Sequence, residues 1–187
     1  MLMPLTIRNQ RGVTLIEVLV TVIILSIGLL GMAGLQSRLQ QSEMEAYQRS
    51  QALLLLNDMA NRIASNRNNA ATYVTGAASP LGVGMTCPDN TGSRAQRDAS
   101  EWCAALQGAA ETSGGSSVGA MVGGRGCVES LVSNQYLVTV AWQGLTPISA
   151  PPAGAACGAN SYGSAGSTCA NDVCRRVVTT IVRVATL

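Results

Sequence analysis

Glu17 is the residue whose position most requires a chemical account. It lies four residues into a stretch, Val13 to Leu35, that is otherwise almost continuously apolar. A charged side chain inside a membrane helix costs about 2.5–3.5 kcal/mol on insertion scales, so it marks a function and needs a partner. No cationic side chain lies between Val13 and Leu35. Cleavage of the chain after Gly12 would create a cation nearby, the α-amino group of Val13.

Other chemistry is sparse. The 187-residue chain has no histidine and no lysine, and all twelve basic residues are arginine. Without histidine there is no histidine-based triad and no zinc-hydrolase motif. Without lysine there is no Schiff base and no P-loop; Gly114-Gly115 and Gly123-Gly124 fit no phosphate-loop pattern. No DxDxDG calcium loop is present. These absences predict no enzyme activity, no cofactor and no metal. A formal net charge of +2 predicts no nucleic-acid binding by bulk electrostatics. Without Arg8 and Arg11, which precede the apolar stretch, acids and bases balance.

The six cysteines, Cys87, Cys103, Cys127, Cys157, Cys169 and Cys174, all lie beyond the apolar stretch. An even number placed there predicts disulfides in an oxidising compartment. Free or metal-binding thiols are the alternative, but no CxxC pair is present. Six cysteines allow 15 pairings, and sequence does not choose among them. The sequential set Cys87–Cys103, Cys127–Cys157 and Cys169–Cys174 is taken as the expectation.

Val13 to Leu35 would be roughly 34 Å long as a helix, enough to span a hydrocarbon core about 30 Å thick. Arg8 and Arg11 keep the N-terminus cytoplasmic by the positive-inside rule, which puts the head outside. A conventional signal peptide, cleaved near Gly28–Gly34, and a plain signal anchor are the alternatives. Neither explains Glu17. Gly28, Gly31 and Gly34 would allow close helix contacts in lipid, though glycine is also ordinary in membrane helices.

Beyond Gln36 the chain turns amphipathic, with Leu39, Ser42, Ala46, Leu53, Leu56, Ala60 and Ile63 on one expected stripe. Glu45–Arg49 and Asp58–Arg62 are expected i,i+4 pairs. Asn66, Asn68 and Asn69 supply a stop. One helix from about Thr14 to about Ser65 follows, although a helix followed by a coiled coil would show the same stripe.

The head reads as loop with one short helix over 67–126. Asp98-Ala99-Ser100-Glu101 is the expected capping box, and Trp102, Ala105, Leu106 and Ala109 form the buried face. Tyr136–Trp142 and Arg176–Val184 are strands, Cys127–Val132 a weaker one. Gly144–Val173 is a long loop held by disulfides. The fold class is α+β, a long helix over a small antiparallel sheet.

Arg11-Gly12-Val13-Thr14-Leu15-Ile16-Glu17-Val18-Leu19-Val20 resembles the class III signal of type IV pilins and pseudopilins. That resemblance implies cleavage after Gly12 by a prepilin peptidase and N-methylation of Val13. It implies that Glu17 pairs with the terminal amine of a neighbouring subunit. The family usually has phenylalanine where this chain has Val13; cleavage depends mainly on the glycine. Ile27–Gln36 and Ala52–Ile63 are similar to PilV-type minor pilins, type IV pilus modification proteins. The implied organisation is a leader at 1–12, a membrane and filament-core helix at 13–35, its amphipathic continuation at 36–66, and a head at 67–187. The implied location is the bacterial inner membrane, with the head periplasmic, and then the pilus surface. The implied partners are the prepilin peptidase, other major and minor pilins, inner-membrane lipid and the pilus assembly platform. A type II secretion pseudopilin and an adhesion or DNA-uptake pilin remain alternatives.

Overall fold

A computed structural model describes residues 12–109, 112–117, 119 and 121–185; the expected leader, apart from Gly12, lies outside them. Helix α1 runs Leu15–Ser65, close to the expected bounds. The chain divides into two compact units, one ending at Ser42 and one beginning at Glu43.

In the first unit every described residue is exposed. A helix apolar on all sides buries its surface against lipid or other helices, and by length and composition α1 can cross a membrane.

The second unit contains the last turns of α1, a 3-10 helix Arg67–Tyr73, strand β1 (Leu81–Gly82), helix α2 (Arg94–Leu106) and the small hairpin β2–β3 (Thr112–Ser113, Ser116–Ser117). Strands β4 (Arg125–Val132), β5 (Gln135–Gln143) and β6 (Arg175–Arg183) follow. The main sheet is antiparallel in the order β1-β4-β5-β6. Its architecture is the expected α+β, a helix on a small sheet, with three disulfides. The β4–β5 turn puts Asn134 at φ 63°, a conformation asparagine tolerates better than most residues.

The inner face of the sheet carries Val128, Tyr136, Val138, Val140, Trp142 and Val182, packed with Leu56, Met59 and Ile63 of α1 and Trp102 and Leu106 of α2. Trp102 is fully buried, as expected of a core residue, and its indole donates to the Leu55 carbonyl at 2.9 Å. A Cβ on Gly126 would come within 2.2 Å of the Trp102 ring, so β4 admits the indole only because that position lacks a side chain.

Several local expectations are corrected. The stripe that α1 buries is Gln48, Ala52, Leu56, Met59 and Ile63; Leu39 and Leu53 are exposed. Four consecutive leucines, Leu53 to Leu56, fit more than one helical register, and tertiary packing selects Leu56. The capping box is Ser93 with Gln96, not Asp98 with Glu101. Asp98 lies inside α2, where its carboxylate accepts from Arg62 and Tyr73. Cys103 of α2 is buried, and Ala109 lies beyond the end of α2 and is exposed. Glu45 pairs with Arg176 at 3.5 Å and accepts from the Leu145 amide at 3.1 Å, in place of the expected Arg49. The region expected to be loop, 67–126, also holds the 3-10 turn, β1 and the β2–β3 hairpin.

Arg62 joins α1 to α2. It pairs with Asp58, as expected, at 2.9 Å, and also with Asp98 at 2.9 Å and Glu101 at 2.6 Å. Burial alone would lower the guanidinium's pKa, but Glu101, Asp58 and Asp98 more than offset this and it is raised. Tyr73 donates to the same Asp98 carboxylate and accepts from Asn66 at 3.1 Å. Burial, then the bond to Asp98, raises the Tyr73 pKa above the ordinary 10.0. The unfolded chain therefore loses this proton first as pH rises. The stabilisation is complete below about pH 10 and is lost above it as pH climbs through the folded value. Unfolding of the detergent-solubilised chain, followed by tryptophan fluorescence between pH 8 and 11, should show that loss. Tyr73→Phe should cost about 1–2 kcal/mol at neutral pH and make the alkaline loss shallower. An alkaline profile unchanged by Tyr73→Phe would refute the assignment.

Candidate functional site

The candidate site lies where helix α1 begins. Gly12, Val13 and Thr14 are not helical, and all three are exposed. The Thr14 carbonyl accepts from the amides of Glu17 at 3.1 Å and Val18 at 3.3 Å, so Thr14 caps the helix that begins at Leu15. The Gly12–Val13 peptide thus precedes the first turn in exposed, non-helical chain. A Cβ on Gly12 would meet no atom within 4 Å. Among the described residues no close approach requires glycine there.

Glu17 falls in the first turn of α1 and is exposed. Thr14-Leu15-Ile16-Glu17 has the spacing of a capping box. A carboxylate there faces the positive end of the helix dipole. The position has two consequences. Locally, Glu17 favours starting the helix just after the Gly12–Val13 bond. Externally, it holds an exposed anion within one turn of Val13, where an amine on a second molecule could approach. The two groups named from the sequence, the Gly12–Val13 bond and Glu17, are thus brought to one end of one helix.

The disulfides lie elsewhere. Cys87–Cys103 ties the chain before α2 to that helix, Cys127–Cys157 ties β4 to the long loop, and Cys169–Cys174 closes a short turn before β6. This is the sequential set, and no described cysteine is free. Cys127–Cys157 sits on the outer face of the sheet beside fully buried Thr139 and Ala141. Arg175, also buried, holds the same loop. Its Nη1 donates to the carbonyls of Ala155 and Cys157, and its Nε lies 3.2 Å from Asp172. Tyr162 donates to the Gly123 carbonyl at 2.9 Å, with the Arg125 guanidinium 5.0 Å over its ring. Arg175 was missed as a structural residue because arginine usually reads as surface; its neighbour Arg176 gives no contrast. Among the described residues no cluster of three or more acids, cysteines or histidines could hold a metal.

Residues 7–33 match the family model described as the prokaryotic N-terminal methylation motif. The match contains Gly12, Val13 and Glu17 and none of the head. Compared with curated proteins and with solved structures, the chain has no significant match. The matched motif thus opens a long apolar helix that is followed by a small disulfide-bonded α+β head, an arrangement similar to that of type IV pilins and pseudopilins.

Proposed function

We propose that the chain is a minor type IV pilin, a structural subunit that helps initiate, assemble or modify the pilus. The methylation-motif match over residues 7–33 carries this reading. A prepilin peptidase cuts after Gly12 and the new N-terminus at Val13 is methylated. The subunit waits in the inner membrane with its head in the periplasm. Glu17 then takes the terminal amine of a neighbouring pilin as the helix leaves lipid for the filament. Partner helices would cover the apolar surface that α1 leaves exposed from Val13 to Leu35. The similarity of Ile27–Gln36 and Ala52–Ile63 to PilV-type minor pilins favours a pilus over a type II secretion machine.

Mass spectrometry of sheared surface pili and of membranes tests the proposal. A peptide beginning at Val13 in the sheared fraction, with the mass of one added methyl group, is the expected result. The same peptide confined to membranes would favour a pseudopilin. An intact Met1 end in a host with active prepilin peptidase would overturn the whole reading.

A further inference from the structure

Strand β6 ends the main sheet. It pairs with β5 in unbroken register at all nine positions and has no other strand beside it among the described residues. The direction of its backbone groups follows from the bonds at its two ends. The Val184 amide donates to Asn134, and the Cys174 carbonyl accepts from Gly144, so even-numbered residues of β6 face β5. The Val173 carbonyl points the other way and accepts from Ile148. Successive residues of a strand alternate, so the N–H and C=O groups of Val177, Thr179 and Ile181 point away from the sheet. No backbone partner is found for them among the described residues.

Edges of this kind pair readily with other chains, and proteins blunt them with charges, proline, bulges or covering segments. Between Val177 and Val182 the run Val-Val-Thr-Thr-Ile-Val holds no charge, glycine or proline, and its register with β5 has no bulge. Thr179 and Ile181 are exposed. The pair β4–β5, by contrast, carries a register shift near its turn. Charge lies only at the ends, in Arg175, Arg176 and Arg183. Arg175 is committed to the long loop and Arg176 to Glu45. Arg183 is exposed and has no ion-pair partner among the described residues.

We propose that the open edge of β6 is a strand-addition site for an extended segment of a different protein, uncharged and β-branched in its middle and acidic where it passes Arg183. A second copy of this chain is a poor occupant. Antiparallel pairing of two β6 strands would set each Arg183 toward the Arg175–Arg176 end of the other, where the nearby acids Asp172 and Glu45 are already paired and neither strand offers Arg183 an acid. The terminal arginines thus discourage self-pairing while the uncharged centre stays available. Main-chain bonds to Val177, Thr179 and Ile181 would give affinity, and the charge opposite Arg183 would fix direction. In an antiparallel partner that acid lies at its N-terminal end. The site is independent of Gly12, Val13 and Glu17, so it goes beyond the pilin reading and can fail separately from it.

The test uses the full chain in detergent micelles and a fluorescent capped peptide of about eight residues, aspartate first, then valine and threonine alternating. Micromolar binding with slowed hydrogen exchange at the amides of Val177, Thr179 and Ile181 is expected. Thr179→Pro is the diagnostic variant. The Thr179 amide is not used within the fold, and proline is tolerated on an edge when its missing N–H faces solvent. This variant should fold normally, by circular dichroism, and bind at least about tenfold more weakly. Arg183→Glu should favour a peptide with arginine in place of the aspartate by roughly five- to tenfold. Binding weaker than about 1 mM, affinity unchanged by Thr179→Pro, or a preference unaltered by Arg183→Glu would each overturn the proposal. So would a dimer of the chain that Thr179→Pro abolishes.

Discussion

Trp102→Ala should destabilise the head by about 3–5 kcal/mol, the usual cost of removing a buried tryptophan. The indole is fully buried, fills the space that Gly126 leaves open, and carries the bond to the Leu55 carbonyl. Truncation therefore opens a cavity between α1, α2 and β4 and removes the group that bridges the first two. A loss of that size is a large share of the 5–15 kcal/mol that typically holds a domain folded. Denaturant unfolding of the solubilised chain, read from Trp142 fluorescence, measures it. Trp102→Phe should recover part of the loss, since the ring volume returns without the N–H. A cost below about 1 kcal/mol for Trp102→Ala would mean that the head closes over the gap and that the indole is not central to its core.

Glu17→Ala should leave cleavage at Gly12–Val13 intact and reduce incorporation into pili by about a hundredfold. That factor corresponds to the roughly 2.5–3.5 kcal/mol carried by an ionised group at membrane depth, because the neighbour's amine would then have no counter-charge. The first turn of α1 would lose its acid, a smaller effect of about 0.3–1 kcal/mol. Immunoblots of membranes and sheared pili, at matched expression, separate the two fractions. Wild-type levels of the processed mutant in pili would remove Glu17 from assembly and leave it as a helix-start residue only.

Much of the architecture is legible in the sequence because it rests on local period. Tyr136–Trp142 alternates and Arg176–Val184 is rich in β-branched residues, and both are strands within a residue or so. Helix α1 is legible because breakers are absent from Leu35 through Ile63 and an asparagine cluster follows. What fails is the choice among equivalent local options. Leu53 to Leu56 offer apolar side chains in every direction, and only the position of the sheet decides which is buried. Ser93 and Asp98 both stand three residues before a Gln or Glu; Asp98 is excluded as a cap by Arg62, which comes from 36 residues upstream. Buried Thr139 was not expected either, because its cover is a loop without periodicity. For the candidate site, Gly12, Val13 and Glu17 are neighbours in sequence, so their spacing is readable. The amine that Glu17 would meet belongs to another molecule, and no single chain contains it.

The order of the disulfides has a consequence for biogenesis. Each bond joins a cysteine to the next one along the chain, with separations of 16, 30 and 5 residues. No loop closed by one bond encloses a cysteine belonging to another. A polypeptide emerging from its N-terminal end would deliver these thiols two at a time, each already accompanied by its proper mate. An oxidase that simply joins cysteines as they arrive would therefore produce the native set, without a later round of bond exchange.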